Sequence, residues 1–286
     1  MGSNHESCLC RGRPWLGIRA KVVHTPAGGP DRQRRVPLQR RETYPCEHSE
    51  RSGSPRMTGV GDLSLAALGH TAVDTHDVLI FDLDGTLTDP KVGICRSINH
   101  ALGAYGYPDQ PDSVLVGYIG PSLDKTFVSL TGCEDQEVIH GLVAKYRERY
   151  GHVGYAENEL YPGIRGALAH LAAADVRMGV CTSKRNDFAL QVLELFGLAS
   201  FFEFVEGGDV GIDKTMQLAS LVANGRASRR SLMIGDRAID LAAARANGLY
   251  EGGVLWGYGS REEIEAERPT YIFSSCDDWS RFGERS

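Results

Sequence analysis

DVLIFDLDGTLTD, residues 77 to 89, is an apolar run that ends in two aspartates one residue apart, with a glycine directly after them. The run is short and nearly continuous in apolar residues, the pattern of a strand buried on both faces at the centre of a parallel sheet. Similar runs recur at VRMGVCT (176–182), FFEFVEG (201–207), SLMIGD (231–236) and GGVLWG (252–257). Amphipathic segments stand between them: GIRGALAHLAAA (163–174), DFALQVLELFG (187–197), DKTMQLASLVANG (213–225) and AIDLAAARANG (238–248). The last three end in glycine, as helix C-termini often do. Strands and helices alternating in this order predict an α/β fold, a doubly wound Rossmann-like parallel sheet.

One stretch breaks the alternation. Between the first strand and the next, Ile94, Ile98, Leu102 and Tyr105 recur at helical spacing, and VIHGLVAKYRERY (138–150) reads as an amphipathic helix. The reading is an inserted helical cap over 91–159 that splits the core into 76–90 and 160–280. Residues 1–56 are rich in Arg, Pro, Gly and Ser without periodicity, and are expected to be a disordered N-terminal extension, with Met57 as a candidate native start.

Composition bounds the function. The chain has 286 residues, 42% hydrophobic and 24% charged, and no apolar run approaches the ~18 residues of a membrane span. Residues 1–57 carry a net charge of about +6 and the remainder about −12. An acidic body disfavours binding to a nucleic-acid polymer, although a small phosphate can still be held by local cations and a metal ion. Seven scattered cysteines (8, 10, 46, 95, 133, 181 and 276) are expected as free thiols in a reducing cytoplasm. Cys8, Cys10, Cys46 and His48 lack the paired spacing of zinc sites.

In a doubly wound sheet, ligands bind beyond the carboxyl ends of the strands. Asp82 and Asp84 follow the first strand; two apart on an extended chain, they face one pocket, and Gly85 lets the backbone turn beneath them. Two close carboxylates share a proton or bind a cation. Thr182, Ser183 and Lys184 follow the second strand, Lys214 opens the helix after the third, and Asp236, Arg237 and Asp240 follow the fourth. Hard oxygen ligands with no His or Cys cluster suit Mg²⁺. Each residue also has a structural reading: a DxD turn can cap a helix, as can Thr182; Asp240 can answer a helix dipole; Arg237 can be a surface charge. No GxSxG elbow is present, and GIDKT lacks the glycine that a P-loop needs before its lysine.

The ordered set DxDGT, a strand ending in Thr182, then Lys214, then GDxxxD resembles the haloacid dehalogenase superfamily of phosphohydrolases over roughly residues 76 to 275. TDPKVGICRSINHAL, YIGPSL and YRERYGHVGYAENELYPGI are similar to its phosphoglycolate phosphatase-like and 5'-nucleotidase-like branch with a helical cap. The resemblance implies a Mg²⁺-dependent phosphatase acting on a small phosphate monoester such as phosphoglycolate, a nucleoside monophosphate or a sugar phosphate. It implies Asp82 as the nucleophile that forms an aspartyl phosphate and Asp84 as acid and base. Thr182 and Lys214 would hold the phosphoryl group, with Mg²⁺ on Asp82, the Asp84 carbonyl and Asp236, and Asp240 as a further metal-site residue at or near the layer behind these ligands. Gly85, Ser183, Lys184 and Arg237 are further candidates for phosphate or substrate. Lys214 is followed by Thr215 where many relatives have proline, and Lys184, read as a loop residue, is the alternative for that charge. His100, Arg96 and Lys125 are weaker substrate candidates than the YIGPSL loop. A phosphomutase and a catalytically silent binding module are the alternative functions, and a monomer without a membrane partner is the default. Cap closure over the bound ester is the expected motion.

Overall fold

The computed structural model describes residues 76–284. The expectations for residues 1–56, for Met57 and for Cys8, Cys10 and Cys46 lie outside the described residues. The described residues open with β1 (Leu79–Phe81) and β2 (Thr88–Asp89), then four α-helices: α1 (Lys91–Ala104), α2 (Asp112–Leu115), α3 (Leu123–Thr131) and α4 (Gln136–His152). The chain returns through β3 (Glu159–Leu160) and alternates: α5 (Ile164–Ala173), β4 (Met178–Arg185), α6 (Asn186–Leu195), β5 (Phe204–Gly208), α7 (Lys214–Ala223), β6 (Leu232–Gly235), α8 (Ala238–Ala246) and β7 (Tyr250–Val254). After α9 (Arg261–Ala266) and β8 (Tyr271–Phe273), the described residues close on a helical turn over Cys276–Phe282.

The six long-range strands form one parallel sheet in the order β5-β4-β1-β6-β7-β8. Its centre is dry because β1 has no polar face. Leu79 and Phe81 pack with Leu168, Leu171 and Val192 on one side, while Ile80 packs with Leu218, Leu221 and Ala244 on the other. Helices α5 and α6 therefore cover one face, and α7 and α8 the other. The winding starts at β1, runs outward to β4 and β5, then crosses to β6 on the opposite side of β1. At such a reversal the loops leaving neighbouring strands diverge, and a crevice opens over the carboxyl end of the strand between them. That strand is β1, whose next residue is Asp82.

The helical segment leaves and re-enters the core through an antiparallel pair, with Thr88 opposite Leu160 and Asp89 opposite Glu159. Between these strands, α1 to α4 bury their own core of Ile94, Ile98, Leu102, Leu115, Phe127 and Leu142. Helix α4 begins on Asp135, whose carboxylate accepts from the Glu137 amide at 2.9 Å. Tyr146 and Tyr150, one turn apart on α4, stack with ring centroids 5.5 Å apart. Phe188 of α6 reaches into the same cluster, so the face of α4 that carries these tyrosines meets the core.

Several element boundaries differ from the sequence reading. Strand β4 continues through Arg185 instead of stopping at Thr182, which buries Lys184. Phe201 lies in a helical turn before β5. Helix α9 and strand β8 were not anticipated, since six and three residues are too short for a periodic signal. Phe81 is fully buried against Trp279, ring centroids 4.9 Å apart, so Phe81→Ala is expected to cost about 3–5 kcal/mol. Denaturant unfolding measures this, as a lower midpoint with an unchanged slope.

Candidate active site

The crevice over β1 is lined from the sheet by Asp82, Asp84, Thr182, Ser183 and Lys184, and from the helical segment by Ile94, Ile98, Tyr118, Tyr146 and Tyr150. Asp82 is buried, and its Oδ1 accepts from the Leu83 amide at 2.8 Å and lies 3.0 Å from Lys214 Nζ. Lys214 is the first residue of α7, a helix capped by Asp213, and its side chain runs inward until it is only 4% exposed. There its ammonium also contacts Asp240 Oδ1. Asp240 sits in the first turn of α8, where its second oxygen accepts from the Arg237 amide at 3.1 Å. It caps the helix and holds the lysine with the same carboxylate.

Asp236, at the end of β6, is held by three contacts. The Tyr258 amide donates to its Oδ2 at 2.8 Å and the Thr86 hydroxyl to its Oδ1 at 3.3 Å. Gly85 supplies the third constraint: at φ +88° its backbone passes so close that a Cβ there would lie 2.2 Å from Asp236 Oδ2. Glycine is required at 85 to make room for a carboxylate.

Asp82, Asp236 and Asp240 bring carboxylate oxygens within 4.8 Å of one another, all buried. Burial raises the Asp236 carboxyl to about 8, with the charges of Asp240 and Asp82 adding to it. Burial likewise raises Asp240, against the pull of Lys214. Burial opposes the charge of Lys214, but Asp240 and Asp82 outweigh it and hold the ammonium above its ordinary range. One buried ammonium faces three buried carboxylates, so the set fits a divalent cation with a preference for hard oxygen donors.

The two lysines of the sequence reading serve different aspartates. Lys184 is buried, pairs with Asp84 Oδ2 at 2.8 Å, and donates to the Tyr150 hydroxyl at 2.6 Å while lying over that ring. Asp84 Oδ1 is buried with no partner among the described residues. Thr182 lines the crevice, with its hydroxyl accepting from the Lys184 amide at 3.3 Å. Arg237 is drawn away from the crevice: its Nε donates to Glu263 at 3.0 Å and its Nη1 to the carbonyl of Ile119, in the YIGPSL loop, at 2.6 Å. Tyr118, Gly120, Pro121, Ser122 and Leu123 of that loop line the crevice. Arg96, His100 and Lys125 are exposed and do not line it; Arg96 pairs with Glu157.

Sequence reasoning missed several contributors. Gln217 donates to the carbonyls of Thr182 and Glu206 and fixes the end of β4. Tyr258 joins Asp236 to Asp89 of β2. Arg147 of α4 meets Asp209 past β5. Each joins positions far apart in the chain, and no local spacing marks them.

The family model described as haloacid dehalogenase-like hydrolase matches residues 79–254. A 5'-nucleotidase of Pseudomonas aeruginosa is 36% identical over 68% of this chain and 89% of its own length. Tyrosine-protein kinase PtkA of Mycobacterium tuberculosis is 36% identical over 70% of this chain and 69% of its own length. A phosphoglycolate phosphatase of Yersinia pseudotuberculosis is 31% identical over 69% and 89%. A solved structure described as a predicted phosphatase from Clostridium acetobutylicum superposes with a TM-score of 0.69 and 31% identity, over 72% of this chain and 97% of that one. Among the described residues, no helix is long and apolar enough to cross a membrane.

The raised carboxyl has a measurable consequence. Without metal, folded Asp236 keeps its proton to about pH 8, whereas the unfolded chain releases it near pH 3.8, the ordinary value for an aspartate. The unfolded state therefore binds fewer protons between these values, and this group's contribution to stability falls as pH rises. In a chelator, Asp236→Asn is expected to raise the unfolding temperature relative to wild type at about pH 8 and to lose that advantage at about pH 4. Added Mg²⁺ should stabilise wild type more at the higher pH. Thermal unfolding across pH measures both.

Proposed function

The chain belongs to the haloacid dehalogenase-like hydrolase family, and we propose that it is a Mg²⁺-dependent phosphatase that hydrolyses a small phosphate monoester through an aspartyl phosphate. The observation that carries this reading is Asp82, a buried carboxylate facing the crevice with Lys214 on one oxygen. Because the Leu83 amide and Lys214 both act on Oδ1, the second oxygen is left for phosphorus. Asp82, Asp236 and Asp240 are the residues that would hold Mg²⁺, with the carbonyl of Asp84 as a further ligand. The ion, when bound, would offset phosphoryl charge.

In the proposed first step an Asp82 oxygen attacks phosphorus and the bond to the leaving oxygen breaks. Asp84 gives that oxygen its proton through Oδ1, the atom without a partner. Lys184 orients the Asp84 carboxyl by holding Oδ2. In the second step water attacks phosphorus, Asp84 takes the water's proton back, and the bond to Asp82 breaks to release phosphate. Thr182 hydrogen-bonds the transferring oxygens and Lys214 balances their charge, the positioned electrostatics on which phosphoryl transfer depends. The bond from Arg237 to Ile119 supports a closed arrangement in which the YIGPSL loop covers the reaction from water. The reading extends to a reducing, cytoplasmic setting, which four buried free cysteines among the described residues suit.

The expected outcome is phosphate release from p-nitrophenyl phosphate that requires Mg²⁺ and falls by about 10³-fold or more in Asp82→Asn. No release from any ester, or full activity in that variant, contradicts the reading.

A further inference from the structure

The cations that line the crevice already have partners. Arg147, Lys184 and Arg185 line it. Lys184 is taken by Asp84, and Arg185 by both oxygens of Asp187 at 2.6 Å each. Arg147 Nη2 lies 2.5 Å from Asp209 Oδ1, and Asp209 is held in place by the Val210 amide at 2.7 Å. The Arg147 guanidinium and that amide keep the Asp209 carboxyl below its usual range, so it is charged at neutral pH. The rest of the wall includes Ile94, Ile98, Phe188 and Val210.

A substrate whose alcohol carries a carboxylate would bring that charge against apolar side chains and beside Asp209. Among the described residues every cation that lines the crevice is paired with a carboxylate, and burying a charge without a partner is costly. An uncharged alcohol meets no such penalty. Arg147 Nε, among the described residues a buried donor without a partner, suits a neutral hydroxyl or carbonyl oxygen.

We propose that Asp209 is a specificity-determining residue: by neutralising Arg147 it sets the crevice for phosphate esters of uncharged alcohols and against esters whose alcohol bears a carboxylate. The inference rests on the phosphatase reading and names the substrate class within it. Arg147 and Asp209 join the helical segment to the far end of β5, so the selection operates where the crevice is covered.

Two esters of nearly equal size test it: 2-phosphoglycolate, with a carboxylate, and 2-hydroxyethyl phosphate, with a hydroxyl in its place. The readout is the ratio of their kcat/KM values with Mg²⁺ present. Wild type is expected to favour the hydroxyethyl ester by about tenfold or more, the effect of one unpaired charge in a partly screened site. Asp209→Asn should move the ratio about tenfold toward 2-phosphoglycolate, and Asp209→Ala should do the same. Arg147→Gln added to Asp209→Asn should remove that gain, which a merely structural disturbance would not do. The inference is overturned if wild type handles 2-phosphoglycolate as well as the neutral ester, or if both Asp209 variants leave the ratio unchanged. Release from p-nitrophenyl phosphate but from neither alkyl ester overturns it while the phosphatase reading stands. Release from none of the three overturns both.

Discussion

Three buried carboxylates around one buried ammonium form the constraint on which this structure turns. Asp82 and Asp240 contact Lys214 with Asp236 beside them, and burial, reinforced by the neighbouring carboxylates, raises the proton affinity of Asp236 and Asp240. Left alone, such a cluster is costly, since buried charge is tolerated only when paired and hydrogen-bonded. The fold supplies each aspartate with a backbone amide, and Asp82 and Asp240 in turn pair the lysine. Gly85 and Gly257 leave the space, since a Cβ at 257 would lie 2.3 Å from Asp236 Cβ. The stability lost here is offset by the apolar layers on both faces of β1. A divalent cation would restore the charge balance, so the site's cost and its proposed chemistry have one origin.

Much of this was legible in the chain because the relevant signals are local. An apolar run with no polar face must be a strand covered on both sides, and FDLDGTLTD places its aspartates at that strand's end. The order of four such strand ends was enough to bring Asp82, Lys214, Asp236 and Asp240 to one place. Lys184 was harder to read. A strand ending at Thr182 leaves it in solvent, whereas the extra three residues of β4 carry it to Asp84 and Tyr150. The residues that decide which lysine serves which aspartate lie on different elements, and nothing in TSKR announces Tyr150. The Arg147–Asp209 pair was likewise invisible, since it exists only once α4 is laid against the end of β5.

Relatives at the same 36% identity carry the names of a 5'-nucleotidase and of a tyrosine-protein kinase, so overall similarity does not choose the reaction. The chemistry of single positions is more selective. Asp84 keeps a buried oxygen free beside the proposed nucleophile, which suits proton transfer to a leaving oxygen and then from water. Arg237, open to a substrate role in the sequence, is spent on Glu263 and on the carbonyl of Ile119, and so belongs to the cover of the crevice instead.

The central claim is that Asp82 itself carries the phosphoryl group between the two steps. Borohydride added during turnover reduces an acyl phosphate to an alcohol, converting the modified aspartate to homoserine, and peptide mass spectrometry locates the change. The account predicts homoserine at position 82, dependent on substrate and Mg²⁺. Reduction at another carboxylate, or none in an enzyme that is visibly turning over, would contradict it.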